Sequence, residues 1–523
     1  MTLVGVWLVA ACAALLILLL VPGVRGALKQ AVSEARVVYL TRGVPGPPNL
    51  PLVGCVPTVL NLFSDGRATL ESMIKDYGNT VRLRLLNRVL IIAMDPDDVQ
   101  AVCTHPALGS KPQLYSDLLG PHMGVGLVNL NGPTHRRHRK AITPSLHFDI
   151  LKDFVPIFAR NSELLVARLK AQHAGGNPFN IQKEFGRLTS TTFIQTVLSC
   201  QEGTATDIAN VAKEADLLDE ASHLMMWRAM RPWWFSDTVF KLLSAQAEPY
   251  FRTSRIMDQM VKRVLEDKLG EVARGEAPPP RRRMAFLDHV LRSQEGGLMS
   301  SDELREELKT FLFVGASTSM DYLSLMAYIL SYFPDVQRKV HEELDSVFGA
   351  PGTPGSDRRI TTDDLAHLEY TDRVLKEVLR YAPPIAVIFR VATEDVKLPS
   401  GTLVPQGCYV GVVPAGTHRI PEHYDDPERF DPDRFLAERS RGRHPYAYIP
   451  FSAGARNCIG LRYALMLAKT VTANLLRSFT ILRAPGSPDR LADVKMDFSL
   501  TMSVHGGAYV RLQRRPAAAA AAR

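Results

Sequence analysis

From Thr2 to Val24 the chain carries no charge, and residues 3–21 (LVGVWLVAACAALLILLLV) are almost wholly apolar. At about 1.5 Å of helical rise per residue, such a run crosses the hydrocarbon core of a bilayer. A cleaved secretory signal would place basic residues before a shorter apolar stretch. Here nothing basic precedes Trp7, whereas Arg25, Lys29, Arg36 and Arg42 follow, against one acid, Glu34. The positive-inside bias therefore predicts a signal anchor over residues 1–24, with the body of the protein on the cytosolic side. Prolines then cluster in PGPPNLP at residues 45–51. They fix φ and remove backbone donors, so residues 25–51 read as a basic, Pro-rich linker ending in a stiff, non-helical strut.

Along the body, residues 80–93 (TVRLRLLNRVLIIA) alternate and then turn apolar around a short break at Leu86, Asn87 and Arg88, which predicts a hairpin. Asp95 and Pro96 form an N-cap and first helical position. Residues 146–269 follow a mostly helical period, interrupted by MMWRAMRPWWF at 225–235. That Met- and aromatic-rich stretch reads either as core or as a flexible apolar surface for membrane or an oily ligand. The segment APPPRRR at 277–283 reads as an exposed, solvated loop. Ser300 and Glu303 form a capping box that opens a long helix running to Phe333, before Pro334. Helices continue to Tyr381. Short strand-like runs follow at 386–391, 402–404 and 409–413, then a last helix begins near Cys458, with strand character at 479–482 and 508–512. The pattern predicts an α-rich α+β fold with a minor sheet near each end, in one large domain over residues 52–515. An Ala-rich tail occupies 516–523.

Composition narrows the function classes. The 523 residues are 46% hydrophobic and 22% charged, which is globular. The formal net charge of +8 is modest, so nucleic-acid binding does not follow from it. The six cysteines (Cys12, Cys55, Cys103, Cys200, Cys408 and Cys458) are widely spaced, with no C-x-x-C. A disulfide framework, a Cys-rich zinc module and a covalent c-type haem are thereby disfavoured, and any cysteine chemistry involves one sulfur acting alone.

The most informative window is FSAGARNCIG at residues 451–460. Gly454 and Gly460 flank Cys458, and a helix-forming run follows. This predicts a cysteine at a helix N-terminus, where the macrodipole and free N–H groups favour thiolate. Arg456 supplies a permanent cation for a carboxylate. A lone thiolate beside a cation suits haem iron, with the haem propionates as the anions.

The pattern F-x-x-G-x-R-x-C-x-G, from Phe451 to Gly460, resembles the haem-binding signature of cytochrome P450 monooxygenases, and the likeness extends over nearly the whole chain. EVLR at 377–380 looks like the family's E-x-x-R. PERF at 427–430 and DPDRF at 431–435 look like its meander motif. Glu377, Arg380 and Arg429 thus resemble the buried Glu-Arg-Arg cluster that braces the haem pocket. NGPTHRRHRK at 131–140 puts His135 and Arg139 on one helical face, where the family has propionate donors; Arg390 looks like a third propionate partner. Arg136, Arg137 and Lys140 fall on another face, which is either a solvated cationic surface or the patch that docks an acidic reductase. FVGASTS at 313–319 stands where the family has A/G-G-x-D/E-T-T/S. Gly315 is expected to open room beside the haem, and Thr318 to relay protons. Ser317 replaces the acid of that pair, which puts the usual proton route in question. Val314 stands where some lipid-oxidising members esterify a glutamate to haem.

The resemblance implies the family fold, a triangular helical prism with small β-sheets, behind an N-terminal transmembrane helix. It further implies non-covalent haem b with Cys458 as axial thiolate, and O2 activation with electrons from an NADPH-dependent flavoprotein reductase. The substrate is expected to be an apolar small molecule (lipid, fatty-acid-like, steroid or xenobiotic) held near Phe313, Val314 and Ala316. Location in the endoplasmic reticulum membrane is expected. FSAGARNCIG, HRKAITPSLHF at 138–148 and PPNLPLVG at 47–54 look most like the family-4 group of animal enzymes. Ser317 leaves open a reductase-independent enzyme that rearranges peroxides, and a non-catalytic haem protein is the remaining alternative.

Overall fold

A computed structural model describes residues 22–173, 175–198, 208–229, 231–274, 286–288, 299–498 and 500–517. Residues 1–21 of the anchor predicted over 1–24, the loop at 277–283 and most of the Ala-rich tail lie outside these. Among the described residues no helix is long and apolar enough to cross a membrane.

The expected α-rich architecture is present, with small sheets at its edge. Helix α1 (Pro22–Leu40) replaces the linker expected there, because residues 27–40 contain neither Gly nor Pro. It is held to the body by the Arg36–Asp395 ion pair at 2.6 Å and by burial of Val37. The non-helical strut starts only at the Pro-rich run. Next come α2 (Val56–Ser64), α3 (Gly66–Tyr77) and the hairpin of β1 (Thr80–Leu85) and β2 (Arg88–Ala93). Asp95 caps α4 (Pro96–Thr104), its carboxylate accepting from Asp97 N at 3.0 Å.

Helices α5 (Gln113–Met123), α6 (Gly132–Ile142) and α7 (Phe148–Gln172) precede the two-residue β3 (Phe179–Asn180). Then follow α8 (Ile181–Val197), α9 (Ile208–Ala229), α10 (Asp237–Leu243) and α11 (Ala247–Ala273). The Met- and aromatic-rich stretch divides: Met225 is buried, whereas Trp233 is exposed. Helix α12 (Ser301–Leu330) opens with the predicted capping box and runs through the core, buried along nearly all of its second half. It stops at Leu330, short of Phe333, and Pro334 occupies the first turn of α13 (Pro334–Phe348), where a missing N–H costs nothing. Helix α14 (Glu369–Tyr381) leads to β4 (Ile388–Val391), β5 (Val396–Lys397), β6 (Leu403–Val404) and β7 (Tyr409–Val412). The last helix, α15 (Leu461–Ser478), is followed by β8 (Phe479–Arg483), β9 (Met496–Phe498), β10 (Met502–Val504) and β11 (Tyr509–Arg514).

The sheets are not segregated to the two ends of the chain. The main one has the order β1-β2-β7-β4, with β2 and β7 parallel (Leu90 opposite Tyr409) and β4 antiparallel to β7. Alternation alone cannot reveal this long-range pairing. It carries Arg390, on β4, into the interior beside the loop that precedes α15.

Candidate functional site

The loop from Phe451 to Cys458 is closed by Cys458 N donating to Phe451 O at 2.8 Å. Two residues in it have positive φ, Ser452 (59°) and Gly454 (69°). A Cβ on Gly454 would stand 2.2 Å from the Cys103 carbonyl oxygen of α4, so only glycine fits. Gly460 caps α15 in an ordinary conformation, and Phe451 is half-buried against the core. Of the four described free cysteines, Cys458 alone is exposed. Desolvation by the surrounding protein pushes its thiol up, and the Gly460 N–H and Arg139 only partly oppose this. A bound metal deprotonates such a thiol outright.

Cations converge beside this sulfur. Arg139, on α6, donates to Asn457 O at 2.9 Å and to Asn457 Oδ1. Arg456 donates to Gly109 O (3.1 Å), Leu130 O (2.6 Å) and Asn131 Oδ1 (3.0 Å). Arg390, 1% exposed, donates to Phe389 O at 2.9 Å. Lys111 Nζ lies 5.2 Å from the Tyr115 ring centroid. His135, on α6 one turn before Arg139, is buried like Arg390, while Lys111, Arg139 and Arg456 are half-buried. Among the described residues none of these groups pairs with a carboxylate. They oppose one another instead. Burial, then Arg390 and Arg139, lower Arg456 to about 10. Burial, then Arg456 and Arg139, bring His135 down to about 4, so it is a neutral donor. Burial, then Arg390 and Arg456, hold Lys111 well below the usual lysine range. Like charges held buried or half-buried against neutral acceptors are costly, and an anionic group placed among them removes that cost.

Comparison with known proteins agrees with this arrangement. The family profile for cytochrome P450 matches residues 44–505. The chain belongs to the cytochrome P450 family. It is 31% identical to human cytochrome P450 4V2 over 507 residues, covering 94% of this chain and 93% of that one. It is 31% identical to cytochrome P450 4c21 of Blattella germanica over 455 residues (83% and 87%). Against Drosophila melanogaster cytochrome P450 4d2 it is 30% identical over 491 residues (89% and 93%). As a cytochrome P450 it is an oxidoreductase, a monooxygenase that uses haem b with a cysteine thiolate ligand, O2 and a redox partner. The donor set fits that group: one open sulfur, and beside it a cluster of cations that lacks the two carboxylates a haem carries.

The P450 bracing network differs from expectation in one member. Glu377 and Arg380 are fully buried and joined at 2.7 and 2.8 Å. The third residue is Arg434, whose Nε is 3.6 Å from Glu377 Oε1. Arg429 is exposed and contributes only its carbonyl, which accepts from Arg380 (3.3 Å) and Arg434 (3.2 Å). PERF and DPDRF each offer an arginine at workable spacing; the chain path, with Asp431 N donating to Glu377 at 2.8 Å, turns the second one inward.

Three further expectations change. On α12, Ser317 and Thr318 donate to Phe313 O and Val314 O, both at 2.9 Å. Gly315 opens no room: its missing Cβ is filled by the Phe193 ring of α8, 2.0 Å away, so it serves helix packing, and Val314 is the half-exposed residue one turn before Thr318. Phe313 and Ala316 are fully buried and are not in the wall of the large apolar cavity. The apolar cavity, about 310 Å³, lies instead among β1, β2, α5, β7 and the end of α9, with Leu118, Phe235, Val387, Phe389 and Val413 in its wall. Tyr115 belongs to both this wall and the cation cluster. Finally, Arg136 and Lys140 are exposed but Arg137 is half-buried against Glu303.

Sequence reasoning missed Lys111 and Asn457; only the adjacency of Asn457 to Cys458 was a signal. It also missed His138, buried on α6 with Nδ1 2.6 Å from the buried Glu307 of α12.

Proposed function

We propose that this chain is a membrane-anchored monooxygenase that hydroxylates an apolar small molecule, with Cys458 as the axial thiolate and an NADPH-dependent flavoprotein reductase as electron donor. The observation that carries the reading is the carboxylate-free cation cluster around an open cysteine. When bound, the haem supplies oxygen activation, with the thiolate favouring O–O cleavage. Arg139, Arg390, Arg456 and His135, joined by Lys111, would hold its propionates non-covalently; Val314 offers no carboxyl for an ester bond. Arg139 also fixes Asn457 and so the position of the adjacent sulfur. The cavity reached past Tyr115 takes the apolar part of the substrate and excludes water. Thr318 holds a proton at Oγ1 on the face it shares with Val314.

Two surfaces support the partners. Arg136 and Lys140 are exposed on α6, the helix that contacts the Cys458 loop, and suit an acidic reductase face. Leu50, Leu52 and Val53 are exposed next to the hairpin turn, where Leu86 N donates to Val53 O at 3.2 Å. Trp233, Leu242 and Leu243 are also exposed, and Phe235 lies 5.8 Å from Arg88 of that hairpin. Together they support a lipid-facing mouth for the cavity, consistent with an anchor at residues 1–24 in the endoplasmic reticulum membrane.

The test is reconstitution of the haem-loaded chain with NADPH and reductase over a panel of lipids, steroids and xenobiotics. A hydroxylated product that requires reductase is expected. Turnover equally fast without NADPH and reductase would establish the peroxide-rearranging reading that Ser317 leaves open, and NADPH consumption without product across the panel would leave only a haem carrier.

A further inference from the structure

Ser317 occupies the place of a carboxyl before Thr318, yet the same helix buries a carboxyl one turn later. Asp321 is 2% exposed, four residues beyond Ser317 and three beyond Thr318. Helical side chains tilt toward the helix N-terminus, and residues three and four apart are neighbours. By register Asp321 therefore shares a helical face with both hydroxyls. Each hydroxyl donates to a carbonyl of its own helix, at 2.9 Å, and so keeps lone pairs free to accept a proton.

Asp321 is unusual in its contacts. Gln182 Nε2, from α8, donates to it at 3.3 Å, and the Thr501 hydroxyl, from the turn between β9 and β10, is its other donor. Both are neutral, and among the described residues no cation forms an ion pair with it. The charged groups facing it come from α9: Asp219 and His223, exposed and 3.7 Å apart. Burial raises Asp321 to about 7; Thr501, His223 and Gln182 pull it down and Asp219 pushes it up.

We propose that Asp321 is the proton-relay residue that feeds Thr318 and Ser317, in place of the acid this helix lacks. The inference rests on the monooxygenase reading of the same site. In the step, the Asp321 O–H bond breaks and its proton passes through one water to the hydroxyl oxygen of Ser317 or Thr318. That hydroxyl gives up its own proton, held on the Phe313 or Val314 carbonyl at rest, to a water on the side facing Val314, so that each O–H bond broken is matched by one formed. The carboxylate regains a proton from solvent on the α9 side, and no electrons move.

The experiment compares the full-length, haem-loaded wild type with Asp321→Asn and with Asp321→Asn combined with Ser317→Asp. Infrared difference spectra follow carboxyl C=O bands against pH and D2O exchange. Reconstituted turnover follows product formed per NADPH and its pH profile. Expected are a band that titrates near neutral pH in wild type and is absent in Asp321→Asn, and a fall of about 10²-fold in coupled rate. Haem content and the reduced carbon-monoxide spectrum should stay unchanged, and Ser317→Asp should restore the coupled rate. Wild-type coupling and pH profile in Asp321→Asn would overturn the relay, as would a wild-type spectrum with no titrating carboxyl. Loss of haem in Asp321→Asn without rescue by Ser317→Asp also overturns it, in favour of a structural role. Should wild type itself form no product, the monooxygenase reading fails, and the infrared titration alone then decides whether Asp321 carries an exchangeable proton.

Discussion

At φ +69° and with a Cβ position 2.2 Å from Cys103 O, Gly454 turns the Cys458 loop where no other residue can stand. A left-handed non-glycine residue costs about 1–3 kcal/mol before any clash is counted. Gly454→Ala is therefore expected to lower the melting temperature and empty the haem site, as read by haem content after purification. Gly460→Ala is expected to be tolerated, because its Cβ would meet Cys458 Sγ at an ordinary 3.9 Å. The signature was legible as a motif, but which glycine is obligatory depends on α4 packing behind the loop. The same holds for the bracing arginines. Arg434→Ala strands the buried Glu377 with one fewer cation and should cost about 3–5 kcal/mol in denaturant unfolding. Arg429→Ala, at an exposed position, should stay within about 0.5 kcal/mol. The reverse order would show that the orientation of the meander is misassigned.

Helix α6 joins the cation cluster to α12 through one buried pair, His138 and Glu307, with Glu303 3.3 Å from His138 Nε2. Burial works to lower His138, but the hydrogen bond and charge of Glu307, then those of Glu303, hold it above the usual histidine value. A group raised on folding contributes stability that is fully present below its unfolded value, about 6.5, and lost as pH rises through the folded one. The melting-temperature advantage of wild type over His138→Gln should therefore be largest at about pH 6 and shrink toward alkaline pH. A pH-independent difference would contradict the pairing. Nothing in the local pattern of NGPTHRRHRK distinguishes His138 from its neighbours, since its partner lies 169 residues away. Element starts were well marked locally, by the capping box of α12 and the Asp95 cap of α4. Gly315 misled because a small residue in a core helix serves either a ligand or a neighbouring helix, and here Phe193 takes the space.

Across the whole molecule, the parallel pairing of β2 with β7 brings the N-terminal hairpin against strands more than 300 residues later and walls the cavity. Class and cofactor were readable from motifs; the cavity was not, because its wall is assembled from stretches of chain as far apart as Val56 and Leu500. Val413→Phe is expected to fill the space of about three methylenes of a bound chain. At about 0.8 kcal/mol each this is roughly fifty-fold weaker binding of long apolar ligands, measured by spectral titration. Unchanged affinity would move the substrate site elsewhere. The claim on which the rest depends is that Cys458 is the iron's protein ligand, amid cations awaiting two carboxylates. The most direct measurement is the reduced carbon-monoxide difference spectrum of the purified chain beside Cys458→Ala. A thiolate-type band in wild type that disappears in the variant is predicted, and an imidazole-type band in wild type, or a thiolate band surviving in Cys458→Ala, would contradict it.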